Sequence, residues 1–242
     1  MSMPVPNTIG RLRQEDYSIT MAASFPKTNR EKADVIINAM NEIRIRLRAI
    51  DTIQAATIPD LIQNESCHLQ LRLCCECLAI TILAVQADFA TNKAFRDDYS
   101  PVNIFKALAA ASPEFFPTPS KMLSMPDGSY HFDDVGSEHP ITRSEVERVW
   151  ELSGHHLHRA SMKKYLKRDN RVDLLTINKA KERFWNLITG LMMVLGDGSV
   201  RVFAAMHRDG DFIECAFIDL DKEAGTARID PYTLGAAARF SR

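Results

Sequence analysis

The chain has 242 residues, a formal net charge of −1, 45% hydrophobic and 25% charged residues, and five cysteines. That length can bury a substantial core, as one large domain or as one domain with an appendage, and the composition is that of an ordinary globular protein. There is no internal repeat and no low-complexity tract, which excludes solenoid and fibrous architectures. Met1 to Asn29 lacks the basic start and apolar run of a signal peptide, and no later stretch is read as a membrane span, so the expected location is the cytoplasm. Four of the five cysteines, Cys67, Cys74, Cys75 and Cys77, fall on one predicted helix, where neighbours are poorly placed to pair; reduced thiols are the simplest expectation.

Residues 1–28 carry Pro4, Pro6 and Pro26 and little periodicity, and read as a mobile N-terminal arm. Thr28-Asn29-Arg30-Glu31 fits a capping box opening a first helix to about Ile53. Its apolar stripe is Ile36, Met40, Ile43, Leu47 and Ile50, with Arg44, Arg46 and Arg48 expected on a solvated face. A second helix runs from near Pro59 to Phe89. From Leu71 onward it is apolar on every side, so it is expected at the centre of the domain. One polar line interrupts it: Glu65, His68, Arg72 and Glu76, at spacings of three, four and four. Arg72 and Glu76 can pair within the helix, or the line can face a partner segment elsewhere.

Ser100-Pro101 starts a third helix, to about Ala111. Phe115, Phe116, Pro117 and Pro119 then form an extended strap whose aromatics close one side of the core. Residues 125–140 are turn-rich with one short strand at Tyr130-His131-Phe132. Thr142 to Glu145 is a second capping box, opening a helix to about Ser153 that Gly154 stops. A short helix follows over about 159–168, then a long one over Val172–Leu195 with Phe184, Leu187, Ile188, Leu191 and Leu195 inward. Val200 to Ala204, a turn at Arg208 to Asp211, and Phe212 to Leu220 form a β-hairpin, and Ala227 to Ile229 can add a strand. The expected fold is α+β, mainly α: a helical bundle of about six helices around a buried central helix, with a C-terminal β-hairpin. The domain is expected over 29–195, with hairpin and tail at 196–242 packed on it.

The densest chemistry is Gly154-His155-His156-Leu157-His158-Arg159, followed by Lys163, Lys164, Lys167, Arg168 and Arg171. Arg159, Lys163, Lys167 and Arg171 are four apart and form one cationic ridge on a helix. Between Arg143 and Arg183 eleven Lys and Arg face six Asp and Glu, a local charge of +5 on an otherwise acidic chain. Imidazoles move protons near neutrality and clustered cations bind phosphates, so this inventory suits an RNA backbone without a metal. A helix–helix corner with solvated lysines has the same composition. Serine-nucleophile, phosphate-loop and dinucleotide signatures are absent. Cys67, His68, Cys74, Cys75 and Cys77 lack paired metal knuckles, and His131, Asp133, Asp134 and His139 read as a solvated acidic loop; no metal or cofactor is expected.

Leu69-Gln70-Leu71-Arg72-Leu73-Cys74-Cys75-Glu76, then Ser112-Pro113-Glu114-Phe115-Phe116-Pro117, then Ser153-Gly154-His155-His156-Leu157-His158 resemble a group of uncharacterised bacterial proteins related to the HEPN helical domains. The resemblance covers about 60–195 and leaves out the hairpin. It implies a helical bundle, commonly dimeric, in a family with many metal-independent ribonucleases of toxin or anti-phage systems. The family motif is an arginine, four to six residues, then a histidine; Arg148 to His155 fits with six between. Val149 stands where the family tends to carry a polar residue, and Gly154 falls inside the motif. The resemblance implies that Arg148 steadies the charged phosphorane while His155, or His158, acts on the 2′-hydroxyl. Arg159, Lys163, Lys164, Lys167, Arg168 and Arg171 would then hold RNA, with Glu65, His68, Arg72 and Glu76 in support. The implied partners are RNA and a second copy or a neutralising protein, with no membrane. A second reading is a non-catalytic adaptor using the Phe115–Phe116 strap or the hairpin edge, and a third, a small-molecule sensor, has no feature of its own.

Overall fold

The computed structural model describes residues 28–86, 100–126, 130–134, 139–157, 174–195, 198–206, 210, 212–221 and 226–234. The N-terminal arm, the Asp127-Gly128 turn, the cationic segment 158–173 and the tail from 235 lie outside the described residues. Among the described residues are five helices and six strands: α1 (Asn29–Ala55), α2 (Asp60–Val85), α3 (Pro101–Ala111), β1 (Thr118–Ser124), β2 (Tyr130–Asp134), α4 (Arg143–Leu157), α5 (Leu174–Ile188), β3 (Leu191–Leu195), β4 (Val200–Met206), β5 (Ile213–Asp221) and β6 (Thr226–Leu234). The fold is thus mixed helix and strand.

The helix starts follow their local chemistry. At α1 both bonds of the capping box form: Glu31 N–H donates to Thr28 Oγ1 at 3.2 Å and Thr28 N–H to Glu31 Oε2 at 3.0 Å. At α4 only the return bond forms, Thr142 N–H to Glu145 Oε2 at 3.1 Å, and the Thr142 hydroxyl donates to the same oxygen. Pro101 opens α3, where its missing N–H costs nothing. The α1 stripe Ile36, Met40, Ile43, Leu47 and Ile50 is fully buried. At its end the Gln63 amide donates to the Ile53 and Gln54 carbonyls, satisfying last-turn oxygens of α1 from the start of α2.

All six strands form one antiparallel sheet, ordered β2-β1-β3-β4-β5-β6. The hairpin expected at 200–220 is its interior, β4 and β5, flanked by β3 and β6, and so offers no free edge. The long helix expected to Leu195 ends at Ile188 instead. Its last apolar residues belong to β3, whose first three are buried. The break is set at Gly190, whose carbonyl accepts from Ser120 N–H at 2.8 Å; a Cβ there would collide with the Ser120 carbonyl oxygen. The close approach of β1 therefore requires glycine. Helical periodicity and a short apolar strand run are hard to separate by pattern alone, which is why the sequence reads as one helix here.

The sheet has an apolar face on each side. Leu191, Met193, Val202, Ala204, Met206, Ile213, Cys215 and Phe217 join the core shared with the helices. On the other side Met192, Phe203, Ala205 and Ile218 gather Met122, Phe132, Leu220 and Ile229 into a second cluster. The Phe132 and Phe203 rings lie 5.4 Å apart although β2 and β4 are three places apart in the sheet. In a flat sheet that separation is about 14 Å, so the β1–β2 hairpin curls over to close the second cluster.

Two further expectations are corrected. Arg44 is buried, not solvated: its guanidinium donates to the Gly210 carbonyl at 2.8 Å and to Asn41, tying α1 to the β4–β5 connection, while Arg46 reaches Glu42 and Gln70. α2 is long and apolar enough, by length and composition, to cross a bilayer, and about two thirds of its most apolar window is buried inside the molecule.

Candidate functional site

α2 positions the chemistry by presenting different residues on adjacent faces. Gln63, Gln70 and Cys74 meet α1: Gln63 at its end, Gln70 at Arg46, and the Cys74 thiol near the Ile43 carbonyl. A step of one residue, about 100° around the helix, brings Asn64, His68, Arg72 and Glu76 to α4. The two helices run antiparallel here, so ascending positions on α2 meet descending ones on α4.

The contacts form a continuous polar seam. Asn64 Nδ2 lies 3.3 Å from His156 Nδ1. The His68 ring stacks on the His156 ring at 3.9 Å between centroids and 7° between planes, and His68 Nδ1 lies 3.3 Å from Ser153 Oγ. Further along, the Trp150 indole N–H donates to Glu76 Oε1 at 3.0 Å, the oxygen that Arg72 Nε meets at 3.2 Å. The Arg72 guanidinium carbon sits 4.1 Å from the Trp150 ring centroid, a cation–π contact. Arg72 and Glu76 therefore do both things the sequence left open: they pair within α2 and they face α4. The seam starts at Asn64, one residue before Glu65.

Ser153 beside His68 has the makings of a nucleophile–base pair, but Ser153 is 0% and His68 1% exposed. No substrate reaches that hydroxyl as the helices stand, so its role is to orient an imidazole. In the Asn64 amide orientation that donates to His156 Nδ1, the Asn64 carbonyl oxygen is buried without a hydrogen-bond partner.

α4 turns a second face to solvent. Gly154 does not stop the helix, which continues to Leu157 with Ser153 and Gly154 buried. A glycine inside a helix costs about 1 kcal/mol, and the contacts of Ser153 and His156 with α2 offset it. Arg148 and His155 are consequently seven residues apart on one unbroken helix, about 10.5 Å along its axis, and both are exposed. Neither belongs to the seam: the histidine that meets α2 is His156. His158 and the ridge residues Arg159, Lys163, Lys164, Lys167, Arg168 and Arg171 lie outside the described residues.

Of the seam residues, His156 stood in the histidine cluster and Asn64 gave no signal of its own, but Trp150 and Ser153 carried one in their spacing. Val146, Val149, Trp150, Ser153 and Leu157 repeat at three and four, so Trp150 and Ser153 sit on the buried stripe of α4. An indole or hydroxyl on such a stripe needs a polar partner on the next helix.

The thiols are chemically quiet. All five cysteines are free and buried. Burial pushes the Cys67 thiol up to about 11 and, with Glu42 nearby, the Cys77 thiol up to about 12, while Cys74, Cys75 and Cys215 are also raised by burial. Among the described residues no group of three or more His, Cys, Asp or Glu side chains is placed to hold a metal ion.

The strap's aromatics close one side of the core as expected, with Phe115 buried and Phe116 partly buried, each packed with Phe105 at a ring separation of 5.7 Å, which leaves the strap little to offer the adaptor reading as a contact surface. A different apolar surface exists on α2 itself. Ile62, Leu69 and Ile80 share one side of the helix and are 46%, 41% and 47% exposed. Comparison of the chain with family models, with curated proteins and with solved structures returns no match.

Proposed function

We propose that this chain is a HEPN-like RNA-binding protein of the cytoplasm and a metal-independent endoribonuclease of a bacterial toxin or anti-phage system, working from the solvent face of α4. The observation that carries the reading is the unbroken helix through Gly154, which gives Arg148 and His155 one exposed face. Support also comes from the local charge of +5 between Arg143 and Arg183, which suits a polyanion. We take the helices as a bundle with α2 at its centre, since α2 touches α1, α3, α4, α5 and β3. The arm at 1–28 and the strands beyond 195 are accessories to this helical domain.

The chemistry needs no metal. An imidazole, His155 or alternatively His158, takes the proton of the 2′-hydroxyl, the 2′-oxygen bonds to phosphorus, and the imidazolium so formed gives that proton to the departing 5′-oxygen. The Arg148 guanidinium neutralises charge on the phosphorane oxygens. Glu65, His68, Arg72 and Glu76 fix the inner side of α4, and Arg159, Lys163, Lys164, Lys167, Arg168 and Arg171 grip the strand. RNA incubated with wild type in EDTA should yield cyclic-phosphate ends. Arg148→Ala, together with His155→Ala or His158→Ala according to which imidazole is the base, should lose about 10²-fold or more in rate while folding normally. Wild type that neither cleaves RNA nor binds it in a salt-sensitive way would end the proposal.

A second reading, a non-catalytic adaptor, is favoured by the exposed Ile62, Leu69 and Ile80 on α2. A protein partner, whether a second copy or a neutralising protein, would cover that face. Leu69→Glu should then abolish association in sedimentation; unchanged association would remove this surface from consideration.

A further inference from the structure

We propose that the stacked His68–His156 pair is a proton-counting latch between α2 and α4, which accepts one added proton while closed and parts on the second. The rings lie parallel within 7° at 3.9 Å, so two imidazolium charges would be held face to face. Like charges at that distance repel strongly, and His68, 1% exposed, has no bulk water to spread its charge.

The first proton has a place ready. His156 is half-buried, and its Nδ1 faces the Asn64 amide, whose carbonyl oxygen is buried without a hydrogen-bond partner. Turning that amide over exchanges a donor to Nδ1 for an acceptor of Nδ1–H, with the helices undisturbed. Singly protonated, the pair stays stacked. A second proton must enter the sealed ring against the charge already present.

Among the described residues, the surrounding charged groups come from four helices. α2 contributes Glu65 and the Arg72–Glu76 pair, and α4 contributes the exposed Glu151 and His155. Lys181 of α5 and Asp51 of α1, ion-paired with each other, lie close enough to act on neighbouring Cys67. The sign follows from the stack: the folded pair takes up its second proton less readily than two free imidazoles near pH 6.5, so the seam's contribution is present above that value and lost as pH falls below it. Release would loosen the turns of α4 that carry His155. That consequence rests on the RNA reading, whereas the latch itself does not.

The test uses the full chain and no RNA. Long-range proton–nitrogen correlation of the histidine rings from about pH 8 to 5 should show His156 titrating first. His68 should follow only as amide-exchange protection across 149–157, corrected for intrinsic rate, falls about tenfold or more. His68→Phe and His156→Phe keep a stacking ring without a second proton site, and both should retain protection to pH 5. If circular dichroism shows either variant unfolded, the wild-type titration decides alone. Two rings titrating independently with protection unchanged would overturn the latch, as would the same loss in both folded variants.

Discussion

α2 meets α1 and α4 on adjacent faces, and the two contacts are made of different materials. Against α1 it brings small thiols and glutamine edges to a fully buried aliphatic stripe, so energy comes from area and close packing. Against α4 it brings an amide, an imidazole and an ion pair, each matched to particular groups on the facing helix. An apolar contact tolerates sliding, because one methyl group replaces another at little cost. A seam of paired polar groups holds one register, since a shift of one residue would leave Glu76 and Trp150 without each other. The first contact supplies stability, and the second fixes how α4 presents Arg148 and His155.

Cutting the apolar contact should therefore have the largest effect. Ile43→Ala removes a fully buried side chain from the α1 stripe and leaves a cavity between the two longest helices. Such truncations cost about 2–5 kcal/mol. Urea denaturation should show the loss as a lower midpoint at unchanged slope, with histidine ring signals of the remaining native state unmoved. A rearranged His68–His156 pair in that variant would mean the two contacts are not separable.

Trp150→Phe tests the seam in the same assay with a smaller expected cost. The ring that receives Arg72 is kept, but the indole N–H to Glu76 is lost. Hydrogen bonds to charged groups contribute about 1.5–3 kcal/mol; Arg72 still pairs with Glu76 and water reaches its edge, so about 1–2 kcal/mol is expected. The sharper outcome is geometric: α4 amide exchange should rise in this variant and stay level in Ile43→Ala once global stability is subtracted.

The same division explains what could be read before the fold was known. The α1 stripe was legible because five aliphatic residues at spacings of three and four admit one answer, and the two caps were legible because Thr and Glu three apart satisfy orphan amides locally. The polar line of α2 was visible as a line, but its partners were not. Pairing Glu76 with Trp150 or His68 with His156 depends on α2 and α4 lying antiparallel, a tertiary fact carried by no local pattern. Arg44 was misjudged for the same reason: the Gly210 carbonyl it binds is 166 residues away. At Gly154 a stop signal was outweighed by packing, and at Gly190 a glycine that looked like one more helix position marks the crossing of β1.

The smallest effect, and the one that isolates the α1 side of α2, is alkaline. Cys67 and Cys77 are held up to about 11 and about 12 by burial, whereas thiols of the unfolded chain ionise near the ordinary value of 9.0. Between those values the folded protein keeps protons that the unfolded chain has released. Stability from these thiols is thus fully present below about pH 9 and declines as pH rises toward the folded values. The unfolding midpoint under reducing conditions should fall across this window in wild type, and less steeply in a Cys67→Ala, Cys77→Ala double variant. Tyrosines and lysines titrate in the same range, but they are common to both proteins and cancel in the difference. The share of that slope due to Cys67 and Cys77 should survive in seam variants such as Trp150→Phe, because the charged groups that act on these two thiols belong to α1 and α5 and not to α4. Equal slopes in wild type and the cysteine variant would mean that these thiols ionise as readily folded as unfolded, and that the α1–α2 contact admits water.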